Sequence, residues 1–372
     1  MFLLGARMAA APAIDDEVAA TIAGIQARHF GGKLVGYDPA EMLGLMVLDG
    51  FAGTDRFWSQ RYVPSGRAMV SALPGHPARF EVELRRHFHP QSRRPAGGNW
   101  RLRLPTAIVT PAIRDLTLSV HASRGQVHRR PDRIEVIAPD LDEPLEMTAR
   151  FAFTSDPSAG DRGSLAESRK WLNEREGAIH VTPAVRSLAA GIAGEESDPS
   201  RILRALLDHL IDHMTCAMVQ PAWIGEAAVP DWVIAHRWFD CRTGSILLAS
   251  LCRACGIPAR LIGGYLLWAA PMEHHWIEAW LPDRGWTSFD LLAWDLSAGG
   301  RDAGWRESHA GAIDHRMITQ IFPDRFVGSP GIDMRRPWHR LPRSLAGGTE
   351  TRFVDAIDAR PLFTESVRVQ PG

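Results

Sequence analysis

Cysteine is scarce in this chain. The four cysteines among 372 residues all fall between Cys216 and Cys255. No disulfide framework is expected from so few, and reduced thiols fit a cytoplasmic location. Cys252 and Cys255 have the spacing of half a zinc site or of a redox pair, but no second pair exists to complete four ligands. They read as buried thiols in the tail of an apolar helix. Long hydrophobic runs are missing too. No stretch approaches the roughly 18 apolar residues of a membrane span. The start, Met1 to Met8, is too short for a signal segment and is broken by Arg7, with Met8 as an alternative start. Charge of one sign is also lacking: the formal net charge is -1, which gives no footing for a nucleic acid or an anionic membrane as partner. The basic run Arg85-Arg86-His87-Phe88-His89, with Arg93 and Arg94, reads as the solvated side of a strand and its turn. There is no internal repeat and no low-complexity tract.

The length suits two or three domains. Residues 1–65 read as an N-terminal helical segment. Ile14 to Arg28 has a helical period with an acidic first turn, and Asp38-Pro39-Ala40-Glu41 has the cap, proline and carboxylate of a helix start. From about Gly66 the period changes to two. Strands are predicted around 79–84, 100–104, 116–120, 133–137 and 147–153, so residues 66–155 are expected to form a small antiparallel β-sandwich. Residues 156–164, rich in Asp, Ser, Gly and Pro, read as a linker. Helical patterns resume at 165–174, 184–192 and 199–218, and 165–372 is taken as a second unit with a final strand within Val354 to Val369.

The chemistry concentrates between Cys241 and Asp290. Ile246, Leu247, Leu248, Leu251 and Cys252 form one helical stripe, which places Asp240 or Cys241 at the helix N-terminus. Unsatisfied N–H groups there favour a thiolate and can bind an oxyanion, and Arg242 adds positive charge. His274-His275-Trp276-Ile277-Glu278 alternates as a strand, Pro282-Asp283-Arg284-Gly285 is a turn, and Trp286 to Asp290 returns. A thiol needs a base, and the imidazolium needs an acceptor that fixes its tautomer. Either histidine can be the base, and Asp290 is the nearest acceptor. Register decides whether the pair meets. A tight four-residue loop would pair Leu281 with Trp286 and put Asp290 on the wrong face for His274. A five-residue loop or a bulge would pair Trp280 with Trp286, and Trp276 with Asp290, which makes Asp290 a neighbour of His274. The second arrangement is predicted.

Residues 200–295 resemble the transglutaminase-like superfamily, a branch of the papain-like cysteine enzymes. The resemblance rests on Cys241 opening a helix, Gly256-Ile257-Pro258-Ala259-Arg260, His274-x-Trp276-x-Glu278, and Phe289-Asp290. It selects His274 over His275. It implies an α+β fold in which the catalytic helix packs on an antiparallel sheet, preceded here by the β-sandwich. It also implies the catalytic set Cys241, His274 and Asp290 with no metal and no organic cofactor. The thiolate would attack an amide of a protein or peptide, and an amine or water would resolve the thioester. Two positions depart from the pattern. Phe239 stands where the family usually has Gly, and Leu291-Leu292 follow the aspartate where Pro-Thr is usual.

Two other functions are open at this level: a hydrolase (protease or amidase) that uses the same residues with water as acceptor, and a non-catalytic binding module that keeps the fold. Eight of the thirteen tryptophans fall between Trp223 and Trp294. An aromatic cleft around the thiol would exclude water, while the simpler reading packs Trp238, Trp276, Trp280 and Trp286 into a small core. His209 and His213, with Asp208 and Asp212, read as a solvated helix face.

Overall fold

The computed structural model describes residues 67–90 and 99–216 (without 69 and 132), 219, 224, 228–267, 272–292, 303–304, 314–322 and 361–372. It adds the backbone of strands at 28–30, 33–35, 338–345 and 348–355. The helices expected over 14–28 and from Asp38 lie outside the described residues, except that Arg28 opens a short antiparallel pair, Arg28–Phe30 with Lys33–Val35. The main elements begin with six strands: β1 (Ala78–Phe88), β2 (Trp100–Pro105), β3 (Ile113–Ala122), β4 (Gln126–Arg129), β5 (Arg133–Ala138) and β6 (Leu145–Ser155). Four helices follow: α1 (Pro183–Ala193), α2 (Pro199–His213), α3 (Val229–His236) and α4 (Cys241–Ala254). Then come β7 (Ala259–Leu266), β8 (Met272–Leu281), β9 (Gly285–Phe289) and β10 (Arg316–Ile321), and finally β11 (Trp338–Leu345), β12 (Gly348–Asp355) and β13 (Pro361–Pro371).

The first unit is a sandwich of two antiparallel sheets, ordered β11-β12-β13-β1-β6-β3 and β2-β5-β4. Its strands alternate as a half-buried sheet requires. Phe80, Val82, Leu84 and Phe88 of β1 point inward and share a core with Leu102, Leu104, Ile134 and Val136 of the other sheet. That alternation corrects one reading of the basic run. Arg86 has the same parity as the core residues and is fully buried, not solvated. Its Nε donates to Glu365 Oε2 at 2.6 Å and its Nη1 to the Arg103 carbonyl at 2.7 Å. A buried cation is tolerable only with such partners.

Glu365 belongs to the C-terminal strand, and this moves a domain boundary. β13 pairs with β1, with Phe363 facing Phe88 and Pro371 facing Phe80. The last strand therefore completes the sandwich and not the second unit, because Phe363 and Val367 fit the sandwich core. The linker is docked as well as connecting. Trp286 N–H donates to the Asp161 carbonyl (2.8 Å) and Trp280 Nε1–H to the Arg162 carbonyl (3.2 Å).

In the second unit a four-stranded antiparallel sheet, ordered β9-β8-β7-β10, carries α4 on one face. Ile277, Ala279 and Leu281 of β8 share a core with Ile246, Leu247, Leu248 and Leu251 of α4. The next parity, His274, Trp276 and Glu278, lies on the opposite face. There Arg260 and Glu278 sit directly opposite in register and form an ion pair at 2.6 Å, with the Arg260 guanidinium 4.1 Å above the Trp286 ring. These residues of the two shared motifs thus have a direct structural use. Replacing Glu365 by Gln leaves Arg86 buried without its counter-charge. The variant is expected to lose about 3 kcal/mol of stability, measured by urea unfolding of the full chain, whereas exchanging exposed Arg114 for Gln should change it by under about 1 kcal/mol.

Candidate active site

Cys241 is the first residue of α4, and Asp240 is its cap. The Asp240 carboxylate accepts from the N–H groups of Arg242 (3.1 Å) and Thr243 (2.7 Å), while the Thr243 hydroxyl oxygen accepts from Asp240 N–H at 2.9 Å. This reciprocal cap fixes where the helix starts and so where the thiol stands, at the end with positive partial charge. Cys241 is half-buried. The first turn is seated by two contacts. Ser245 Oγ–H donates to the His275 carbonyl at 3.3 Å. At Gly244 an added Cβ would stand 2.5 Å from Phe239 and 2.6 Å from Leu291. The turn that begins with Cys241 therefore touches both the residue after His274 and the residue after Asp290. The two departures from the family pattern meet here as well: Phe239 and Leu291 fill the space that Gly244 leaves.

The β8–β9 hairpin has the register that brings His274 and Asp290 together. Trp280 faces Trp286 and Ile277 faces Phe289, so Asp290 falls beside Trp276. Gly285 makes this turn possible. Its φ is 77°, and an added Cβ would lie 2.5 Å from Arg162 Cα, so no other residue fits both the turn and the docked linker. His274 Nε2 lies 2.9 and 3.0 Å from the two Asp290 oxygens. An ionised carboxylate only accepts, so Nε2 carries the hydrogen and Nδ1 is the basic nitrogen of the neutral ring. His274 is 2% exposed, and its Nδ1 is buried without a hydrogen-bond partner.

Asp290 is 4% exposed. Burial works against its charge, but the Arg316 guanidinium, His274 and the Leu292 N–H together hold the carboxyl well below the usual carboxylate range. Arg316 forms an ion pair with Asp290 Oδ2 and donates to Asp314 Oδ1 from Nε (2.8 Å) and Nη2 (2.6 Å). Its guanidinium carbon lies 4.8 Å above the Trp276 ring, and that ring stacks at 20° on His274. No motif pointed to Arg316. It opens an apolar strand 26 positions beyond Asp290, and its only sequence signal is an arginine at a strand start.

The other singled-out residues stand apart from this cluster. His275 has the opposite parity and meets Phe322, with ring centroids 5.9 Å apart. Cys252 is buried and Cys255 half-buried, and burial pushes both thiols up. On α2, His209 is half-buried and His213 exposed, and Asp208 is bound by Arg204. Trp276 and Trp286 are buried, and Trp238 and Trp280 half-buried. Trp276 thus packs a core and also lines the site.

A family model described as the transglutaminase-like superfamily matches residues 186–291. This segment belongs to that superfamily. The transglutaminase-like segment contains Cys241, His274 and Asp290, and ends before Arg316. A protein-glutamine gamma-glutamyltransferase of Pseudomonas aeruginosa is 26% identical over 211 residues, which cover 54% of this chain but only 31% of that protein. A crystal structure of a candidate cysteine protease from Cytophaga hutchinsonii aligns with 80% of this chain and 99% of its own, at 14% identity and a TM-score of 0.45. The periplasmic domain of TgpA from P. aeruginosa aligns with 64% of this chain and 95% of its own, at 18% identity and a TM-score of 0.35. Among the described residues no helix is long and apolar enough to cross a membrane.

The contrast between thiols gives a direct test. Iodoacetamide at neutral pH is expected to label Cys241 and to leave Cys252 and Cys255 unmodified in the folded protein, read by peptide mass spectrometry. Equal labelling of all three would contradict the site.

Proposed function

We propose that the protein is a cysteine acyltransferase that takes its acyl group from a carboxamide of a protein or peptide and passes it to an amine. One observation carries this reading. His274 is held by Asp290 through Nε2, so its Nδ1 is the basic nitrogen, on a strand seated against the turn that begins with Cys241. His274 Nδ1 takes the proton of the Cys241 thiol, the thiolate attacks the amide carbonyl, and His274 gives that proton to the leaving ammonia or amine. The product is a thioester on Cys241. An amine then attacks that thioester, His274 takes a proton from it, and the thiol is restored. Asp290 stabilises the imidazolium and fixes its tautomer throughout without taking the proton. The name of the P. aeruginosa relative favours the side-chain amide of glutamine as donor.

The test is a glutamine-containing peptide incubated with and without a primary amine. Mass spectrometry should show the amine-substituted peptide with ammonia released, and Cys241→Ala should abolish it. A product carrying only the free carboxylate, even with amine in excess, would make the protein a hydrolase. No product and no reactive thiol would make it a binding module. For Asp290→Asn the turnover is expected to fall by about 10³–10⁴-fold, because the amide can present the wrong hydrogen-bonding group to Nε2.

A further inference from the structure

We propose that Arg316 is a positioning residue of this centre, which holds the Asp290 carboxylate ionised and aimed at His274 Nε2. The proposal rests on the catalytic reading above and adds a residue that lies outside the matched segment, 186–291. Three contacts fix Arg316. Asp314 takes two of its donors, the Trp276 ring lies under its guanidinium, and Asp290 takes the third edge. It is 6% exposed, so the charge is not dispersed into water.

The consequence is chemical. Asp290 is faced by His274, Arg316 and the Leu292 N–H, and Arg316 in turn by Asp290 and Asp314. Without Arg316 the buried carboxylate keeps one cation-forming partner, and burial favours its neutral form. A neutral carboxyl can donate to Nε2. The ring hydrogen then moves to Nδ1, the nitrogen that must take the proton from the thiol. Arg316 acts through Asp290 to exclude that tautomer, and it need not touch substrate.

The rate of Cys241 alkylation by iodoacetamide, followed against pH, tests this without any substrate. Arg316→Gln should move the acid limb of the profile up by about one pH unit, slowing alkylation there by about tenfold. Arg316→Lys, which keeps a cation but not the fork, should fall between the two. In an Asp290→Asn background Arg316→Gln should add nothing, since its action runs through Asp290. A folded R316Q protein with the wild-type acid limb would overturn the proposal, as would an equal loss in the D290N background. Where R316Q does not fold, an R316K profile superimposed on wild type overturns it. If the wild-type thiol itself titrates like free cysteine, near about 8.5, the catalytic reading fails first and takes this proposal with it.

Discussion

A carboxylate buried to 4% exposure is costly unless its charge is met, and Asp290 is met by three groups. Each comes from a different part of the sheet. His274 lies on β8, Leu292 follows β9, and Arg316 opens β10. In the order β9-β8-β7-β10 the outer two strands are separated by the inner two, so the Asp290–Arg316 pair reaches across the sheet face. Trp276 floors that crossing. Gly264 lies beneath it, where an added Cβ would stand 2.2 Å from the Met317 carbonyl and 3.0 Å from the Trp276 ring. The β7–β10 register shifts between Gly263 and Gly264. Gly264 and the bulge thus let β10 come close enough to deliver its arginine.

The four-stranded sheet does not stand alone. Tyr265 of β7 donates its hydroxyl hydrogen to Glu365 Oε1 at 2.9 Å, and Glu365 also holds Arg86 of the sandwich. One buried carboxylate therefore joins the four-stranded sheet, the C-terminal strand and β1. Such a network is worth most when every member is satisfied, and it makes the last residues of the chain part of the scaffold behind the site. This dependence runs from residue 365 back to residue 86, a separation of 279 positions.

That distance explains what could be read from the sequence. Cys241, His274 and Asp290 could be singled out as candidates because each sits in a short motif whose spacing is fixed by local geometry: a helix start, a strand, a hairpin return. The hairpin register could be argued in advance for the same reason. The sandwich was legible from period-two strands, but its membership was not. Alternation in β13 says that a strand exists there and is silent about its neighbour. Arg86 was misread because a basic run looks solvated residue by residue, and only its parity with Phe80, Val82 and Leu84 shows that it points inward. Arg316 was missed because its partner lies across the sheet, where no spacing rule connects them.

The segment around Arg316 also shows why the two units act together. His315 is fully buried. Its Nε2 lies 3.0 Å from the Pro74 carbonyl, which can only accept, so Nε2 bears the hydrogen and Nδ1 is left to accept from Ser155 Oγ at 3.0 Å. Burial pushes the pKa of this ring down, which favours the neutral form that this pattern describes. Met317 joins the sandwich core, while Arg316 and Ile318 meet Trp276 on the other side. Alternation from 315 to 318, ahead of the bulge, thus gives His315 and Met317 to the sandwich and Arg316 and Ile318 to the Trp276 side. A shift of β10 by one residue would exchange the two sets, burying Arg316 in the sandwich core and turning His315 toward Asp290. The sandwich therefore does more than precede the second unit: by holding His315 and Met317 it fixes the register in which Arg316 reaches Asp290.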